Sequence, residues 1–360
     1  MNYAKNELLG NTPLPVDIVL GPSWWNRHEG ITFDEDFFFH PARRVEVERK
    51  MEKALHDRWG RFGLGADYDK DLPVVGPVHL AAGYLISEML GCRVDYLEAA
   101  APQVIPADIA ELRVSPEAAF ESPAFRRFTE LTDGLKARHG ALLGDVNFAG
   151  ILNTAIDLRG QTLFIDMIDQ PKEVETLLAG IGEVIERFTD KMTRETGTTS
   201  ISVNRVVRHF PQPIYLHSEC SHVMISTSQY EKFLMKYDTA WSEFHRPFGI
   251  HYCGEDPHRF ARVFAQLPHL DFLDVGWGGD VAVLREHLPD TFLNIRYSPV
   301  EIVKQSPDEI CDTLRRLVHA SGNPYLTGVC CINMDDQVTD EQVTTIFETV
   351  ESLRNEYGVA

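Results

Sequence analysis

The chain has little that would tie it to nucleic acid, to a bilayer or to an oxidising compartment. Only 34 of its 360 residues are lysine or arginine against 54 aspartates and glutamates, a formal charge of −20. Such a surface repels phosphate backbones and anionic lipid, so neither nucleic acid nor a membrane is an expected partner. No apolar run approaches the roughly 18 residues that a membrane helix needs. The opening MNYAKNELLGNTPLPV lacks a basic start followed by an apolar block, so no secretory signal is read there and a cytoplasmic location is expected. Six cysteines (Cys92, Cys220, Cys253, Cys311, Cys330, Cys331) are too few for a disulfide scaffold in a chain this long. As free thiols they are available for metal binding or catalysis. There is no low-complexity tract, and no GxGxxG or GxxxxGK[ST] turn follows any strand-like segment, which argues against a doubly wound nucleotide-binding sheet.

What is present is the composition of an ordinary globular protein, 44% hydrophobic and 24% charged. Residues 1–110 read as an N-terminal elaboration, with a charged helix over Pro41–Trp59 among proline- and glycine-punctuated loops. Beyond about residue 140 short apolar runs alternate with helical stretches. Strands are expected near Leu142–Phe148, Thr198–Val203, Pro247–Tyr252, Leu270–Val275, Thr291–Ile295 and Pro324–Val329, with helices such as Lys172–Arg194 and Pro307–His319 between them. This rhythm predicts a parallel sheet in an α/β fold, a (β/α)8 TIM barrel whose core spans residues 140–355 of a single domain, 1–360. The last four strands run straight into HYCGED, GWGGD, RYSP and CCINMDD. In such a barrel these ends share one rim, where active sites gather.

His251 and Cys253 are two apart, so at a strand end they point to the same face and can reach one ion. A late cysteine, Cys330 or its neighbour Cys331, lies at the end of a strand expected two units further round. Alternation along that strand turns one of the two inward. Three ligands of the Cys2His kind leave a fourth position open, as in catalytic zinc sites, whereas structural sites are closed by four. The bland alternative is that these cysteines are small buried hydrophobes.

A second cluster, LHSECSH, holds Glu219, Cys220, His217 and His222. Glu219 is a candidate fourth ligand or proton-handling group and the histidines candidate supports, against a polar loop around a buried cysteine. Asp274, ending another strand, is a candidate for orienting a ligand or binding substrate, or else a turn cap. Arg159, Asn294, Arg296 and Tyr297 carry the same double reading, substrate contact or surface pairing. Trp24 and Trp25, directly after VDIVLGPS, either wall a substrate or cofactor pocket or simply pack.

The blocks HSECSHVMISTSQYEKFLMKYD, IHYCGED, DFLDVGWGGDVAVLREHLPDTFLNIRYSPVEIV and YLTGVCCINMDDQVTDEQV, in that order, resemble the uroporphyrinogen decarboxylase superfamily. The resemblance implies a (β/α)8 barrel. Decarboxylases of that superfamily carry an early arginine-rich segment where this chain has GPSWWNRHEG. The zinc-dependent corrinoid methyltransferase branch uses an HxC motif with a distant cysteine, and His251, Cys253 and Cys330 match it. By resemblance the chain looks like a zinc-containing methyltransferase that exchanges a methyl group between a corrinoid (cobalamin) carried by a corrinoid-binding protein and a small-molecule methyl donor or acceptor. Metal-independent decarboxylation and a noncatalytic corrinoid-binding barrel are the alternatives.

Overall fold

The computed structural model describes residues 3–67, 74–75, 83–140, 143–144, 148–196 and 210–359. Its strands, in chain order, are β1 (Val16–Leu20), β2 (Val74–Val75), β3 (Arg93–Asp95), β4 (Gln103–Ile105), β5 (Leu143–Gly144), β6 (Tyr215–Ser218), β7 (Phe248–His251), β8 (Phe272–Val275), β9 (Phe292–Arg296) and β10 (Thr327–Met334). β6 to β10 pair in sequence and β1 closes onto β10, giving a six-stranded sheet that is parallel throughout. β2 and β5 form a second parallel pair, and β3 and β4 a small antiparallel ribbon outside it. Parallel neighbours joined through helices are the (β/α) arrangement expected of a TIM-barrel-like α/β fold.

The strands of the six-stranded sheet are buried on both faces, as parallel strands covered by helices must be. Even the eight residues of β10, TGVCCINM, are buried save one. That length is a departure from the expected Pro324–Val329: the cysteine pair lies within the strand instead of beyond its end. β10 is also three strands from β7, one more than expected. The strand expected at Thr198–Val203 lies outside the described residues, and of Leu142–Phe148 the described part contributes β5.

Two strands of the six-stranded sheet, like the short β2, β3 and β4 outside it, have no counterpart in the expected pattern. β6 is only four residues long and follows the proline-bounded segment PQPI. β1 sits in the segment read as an elaboration, and it supplies the sheet's outer partner for β10.

The helices agree closely with expectation: Pro41–Trp59 as read, Pro171–Thr196 for Lys172–Arg194, and Pro307–Ser321 for Pro307–His319. The last shows why. Ser306 and Glu309 form a reciprocal capping box, Pro307 occupies the first turn, and Gly322 at φ 69° ends the helix in the left-handed region. Its buried Ile310, Leu314 and Val318 recur every four residues, one apolar stripe against the sheet. Each such side chain contributes about 1.5–3 kcal/mol of burial. Among the described residues no helix is long and apolar enough to cross a membrane.

Candidate metal centre

The parallel register builds the site in two rows. Ser218, His251, Asp274, Asn294 and Gly328 are successive partners across β6 to β10. Two residues further along each chain, on the same face and nearer the carboxyl-terminal rim, come Cys220, Cys253, Gly276, Arg296 and Cys330, with Cys330 also opposite Asp17 of β1. A row of strand-end side chains is therefore what the hydrogen-bonded ladder itself delivers.

From these rows the fold gathers Cys220, His251 and Cys253, whose ligand atoms all lie within 4.8 Å of one another. Ligands on one tetrahedral zinc are roughly 3.3–3.8 Å apart, given Zn–S near 2.3 Å and Zn–N near 2.0–2.1 Å, so small side-chain rotations close the group around an ion. His251 is buried, and its Nδ1 is engaged by Asp274 Oδ2. That contact leaves Nε2 for a metal, the usual carboxylate–histidine–metal order. Asn294 Nδ2 donates to the other carboxylate oxygen of Asp274 at 3.1 Å, fixing it in turn. The soft donor set, with His251 buried and the two cysteines half-buried, and its support fit zinc.

Arg296 is the other charge in the site. Fully buried, it donates from Nη1 to Cys253 Sγ at 2.9 Å and from Nη2 to Asp274 Oδ2 at 3.3 Å, and Nη2 stands 3.2 Å from His251 Nδ1. Gly276, between Cys253 and Arg296 in the row, is required by a close backbone approach: a Cβ there would lie 1.8 Å from Gly254 O. The Cys220 thiol hydrogen-bonds the Cys253 sulfur, and with His251 and Arg296 beside it Cys253 is held as thiolate, far below the ordinary thiol range, despite burial. Cys220, which supplies that hydrogen bond and is itself half-buried, is pushed correspondingly up. Burial works against a charged His251, but Asp274 outweighs it and raises the imidazole above its ordinary value.

Of the expected ligands, His251 and Cys253 are thus brought together. Cys330 faces the barrel interior with Val19 and Ile332, in register with Arg296 and outside the three-residue group. Cys331 points the other way, into the large core between sheet and helices. The third member, Cys220, is one that the spacing along a single strand does not single out; the signal for it is lateral. SEC follows the end of β6 as HYC follows the end of β7, and pairing of Ser218 with His251 sets their cysteines side by side.

Glu219 is turned away from this group and fully engaged. Its carboxylate accepts from Leu152 N at 2.6 Å and Asn153 N at 3.3 Å, the amino terminus of helix Ile151–Arg159, and lies 3.2 Å from His217 Nε2. His217 is bound on its other nitrogen by Asp238 at 2.6 Å, and Tyr230 donates to Asp238 at 2.7 Å. His222 lies among Tyr230, Tyr252, Phe260 and Phe264, and burial lowers its pKa to about 4.

The remaining candidates have structural partners. Trp24 and Trp25 are 1% exposed, packed edge to face with centroids 4.9 Å apart, and Trp25 Nε1 donates to Leu20 O at 3.1 Å. They belong to the core around Trp59 rather than to a cavity wall. Tyr297 is buried and donates to Gln305. Arg159 binds Asp166 at 2.8 Å and Ile109 O at 2.7 Å.

No family model and no curated protein matches the chain. Among solved structures it is similar to a methyltransferase from Methanosarcina mazei, with TM-score 0.65 and 13% identity over 96% of this chain and 95% of that one. It is also similar to a B12-independent methionine synthase from Shewanella sp. W3-18-1 in complex with selenomethionine, with TM-score 0.51 and 11% identity over 98% of this chain and 100% of that one. Both likenesses run the length of the chain, and at these identities they establish the fold alone, a TIM-barrel-like one.

Proposed function

We propose that the chain is a zinc-dependent methyltransferase that moves a methyl group between a corrinoid on a partner protein and a small substrate, either a methylated ether, amine or thiol or a thiol acceptor. The observation that carries the reading is the Cys220, His251 and Cys253 group at the carboxyl-terminal rim of the sheet. The fold likeness to a methyltransferase supports it. Three protein ligands leave one position for substrate. A zinc ion there supplies Lewis acidity, lowering the pKa of a bound thiol or drawing charge from a leaving heteroatom.

The chain's own residues do the rest. Asp274 holds the imidazole so that Nε2 faces the group, and Asn294 holds Asp274. Two thiolates neutralise a dication, and Arg296 and Asp274 neutralise each other at 3.3 Å, so the loaded site is uncharged overall. The corrinoid, too large for a closed cavity, is expected at the rim on its carrier.

Metal analysis of the purified protein with a methyl-transfer assay tests this. Near-stoichiometric zinc is expected, with loss of both zinc and transfer in Cys253→Ala. Absence of zinc, or full activity without Cys253, overturns the proposal.

A further inference from the structure

We infer that Arg296 is a positioning residue of the metal centre: its guanidinium hydrogen-bonds the Cys253 sulfur while that sulfur serves as ligand, making it a weaker electron donor and the metal a stronger Lewis acid. This rests on the metal reading above.

The geometry is specific. A single side chain touches three members of the site, with Nη1 2.9 Å from Cys253 Sγ, Nη2 3.3 Å from Asp274 Oδ2 and Nη2 3.2 Å from His251 Nδ1. Its Nε, also buried, has no hydrogen-bond partner among the described residues, so the fork is directed by the site's acceptors and not by a separate network. The ring of Trp277 lies 5.8 Å from the guanidinium carbon.

A thiolate has several lone pairs, and a metal takes one. A charge-assisted N–H directed at another withdraws density from the sulfur without breaking the metal bond. For a site that assists a leaving heteroatom or acidifies a bound thiol, a poorer thiolate donor is an advantage, since less charge returns to the metal. The planar fork is also what lets one cation hold Cys253 and Asp274 together. A lysine, with a single nitrogen, reaches one of them at a time.

The test replaces zinc by cobalt(II) and reads the sulfur-to-metal charge-transfer band in the wild type, Arg296→Met and Arg296→Lys, with metal content measured on each. In Arg296→Met at full occupancy the band is expected to move to longer wavelength, because the sulfur lone pair is no longer stabilised. The rate constant kcat for methyl transfer is expected to fall by about 10–100-fold with KM little changed. Arg296→Lys is expected to lie between, a partial rescue by charge that a purely structural role would not give. If Arg296→Met does not fold, the shift in Arg296→Lys decides alone. An unmoved band in a fully loaded variant overturns the inference and leaves the metal reading standing; a wild type that binds neither zinc nor cobalt overturns the metal reading, and the inference falls with it.

Discussion

His251 and Asp274, neighbours in register on β7 and β8, are joined from Nδ1 to Oδ2, which leaves Nε2 as the ring nitrogen for a metal. The carboxylate can do this because its second oxygen is held by Asn294 from the next strand. In Asp274→Asn the amide still fits, but the charge that raises the basicity of His251 is gone. Zinc affinity is expected to fall about 10–100-fold, measured by competition with a chelator. Unchanged affinity would show that the imidazole is oriented by something else.

The identity of the third ligand gives a sharper contrast. Cys220 lies within the group, whereas Cys330 stands on β10, beyond Gly276 and Arg296 in the same row. Cys220→Ala is expected to lose most of its zinc and Cys330→Ala to retain it, both read by metal analysis of folded protein. The reverse pattern would show that the rim rearranges around the ion and brings β10 into the coordination shell.

Much of this is legible in the sequence where elements are long or carry caps. The helix at Pro307 announces itself by Ser306, Pro307, Glu309 and Gly322, and β7 to β9 begin as apolar runs with a polar residue at or next to the end. His251, Cys253 and Asp274 are readable because spacing along one strand fixes a shared face. Cys220 is not, since its place depends on a lateral partner, and β6 is a four-residue strand too short to show a period. Cys330 and Cys331 mislead for a different reason: β10 is buried without a break from Thr327 to Ile332, so nothing marks an end near Val329 and the boundary expected from the sequence falls too early. Trp24 and Trp25 show the limit of residue type as a guide, as the adjacent rings fill core space between a strand end and the helix carrying Trp59.

Glu219 tests whether a carboxylate beside a metal ligand is itself a ligand. Its oxygens accept from Leu152 and Asn153, and this close approach requires Gly150, where an added Cβ would lie 2.5 Å from Glu219 Cδ and Oε1. Gly150→Ala is expected to destabilise the fold by about 1–3 kcal/mol, as overpacking does. Glu219→Gln should lower the melting temperature yet keep its zinc. A Glu219→Gln protein that melts normally but has lost zinc would make Glu219 a ligand after all.

Beneath the site, His217 gives a pH dependence of defined sign. Burial disfavours its charge, but Asp238 and then Glu219 outweigh that and raise its pKa to about 9, against an ordinary value of 6.5. The folded state therefore binds the proton more tightly than the unfolded chain. Its contribution is complete below pH 6.5, declines as pH rises toward 9, and is lost above that. The size is on the order of 3 kcal/mol, since each tenfold gain in proton affinity is worth about 1.4 kcal/mol. Asp238→Asn removes the main favourable charge while keeping an acceptor for Tyr230. Thermal melts at pH 6, 8 and 10 should then show the wild type losing stability across this interval and the variant staying nearly level, the two converging at the alkaline end. Parallel curves would mean that His217 is neutral throughout, and that the buried Glu219, His217 and Asp238 chain is held by a proton elsewhere.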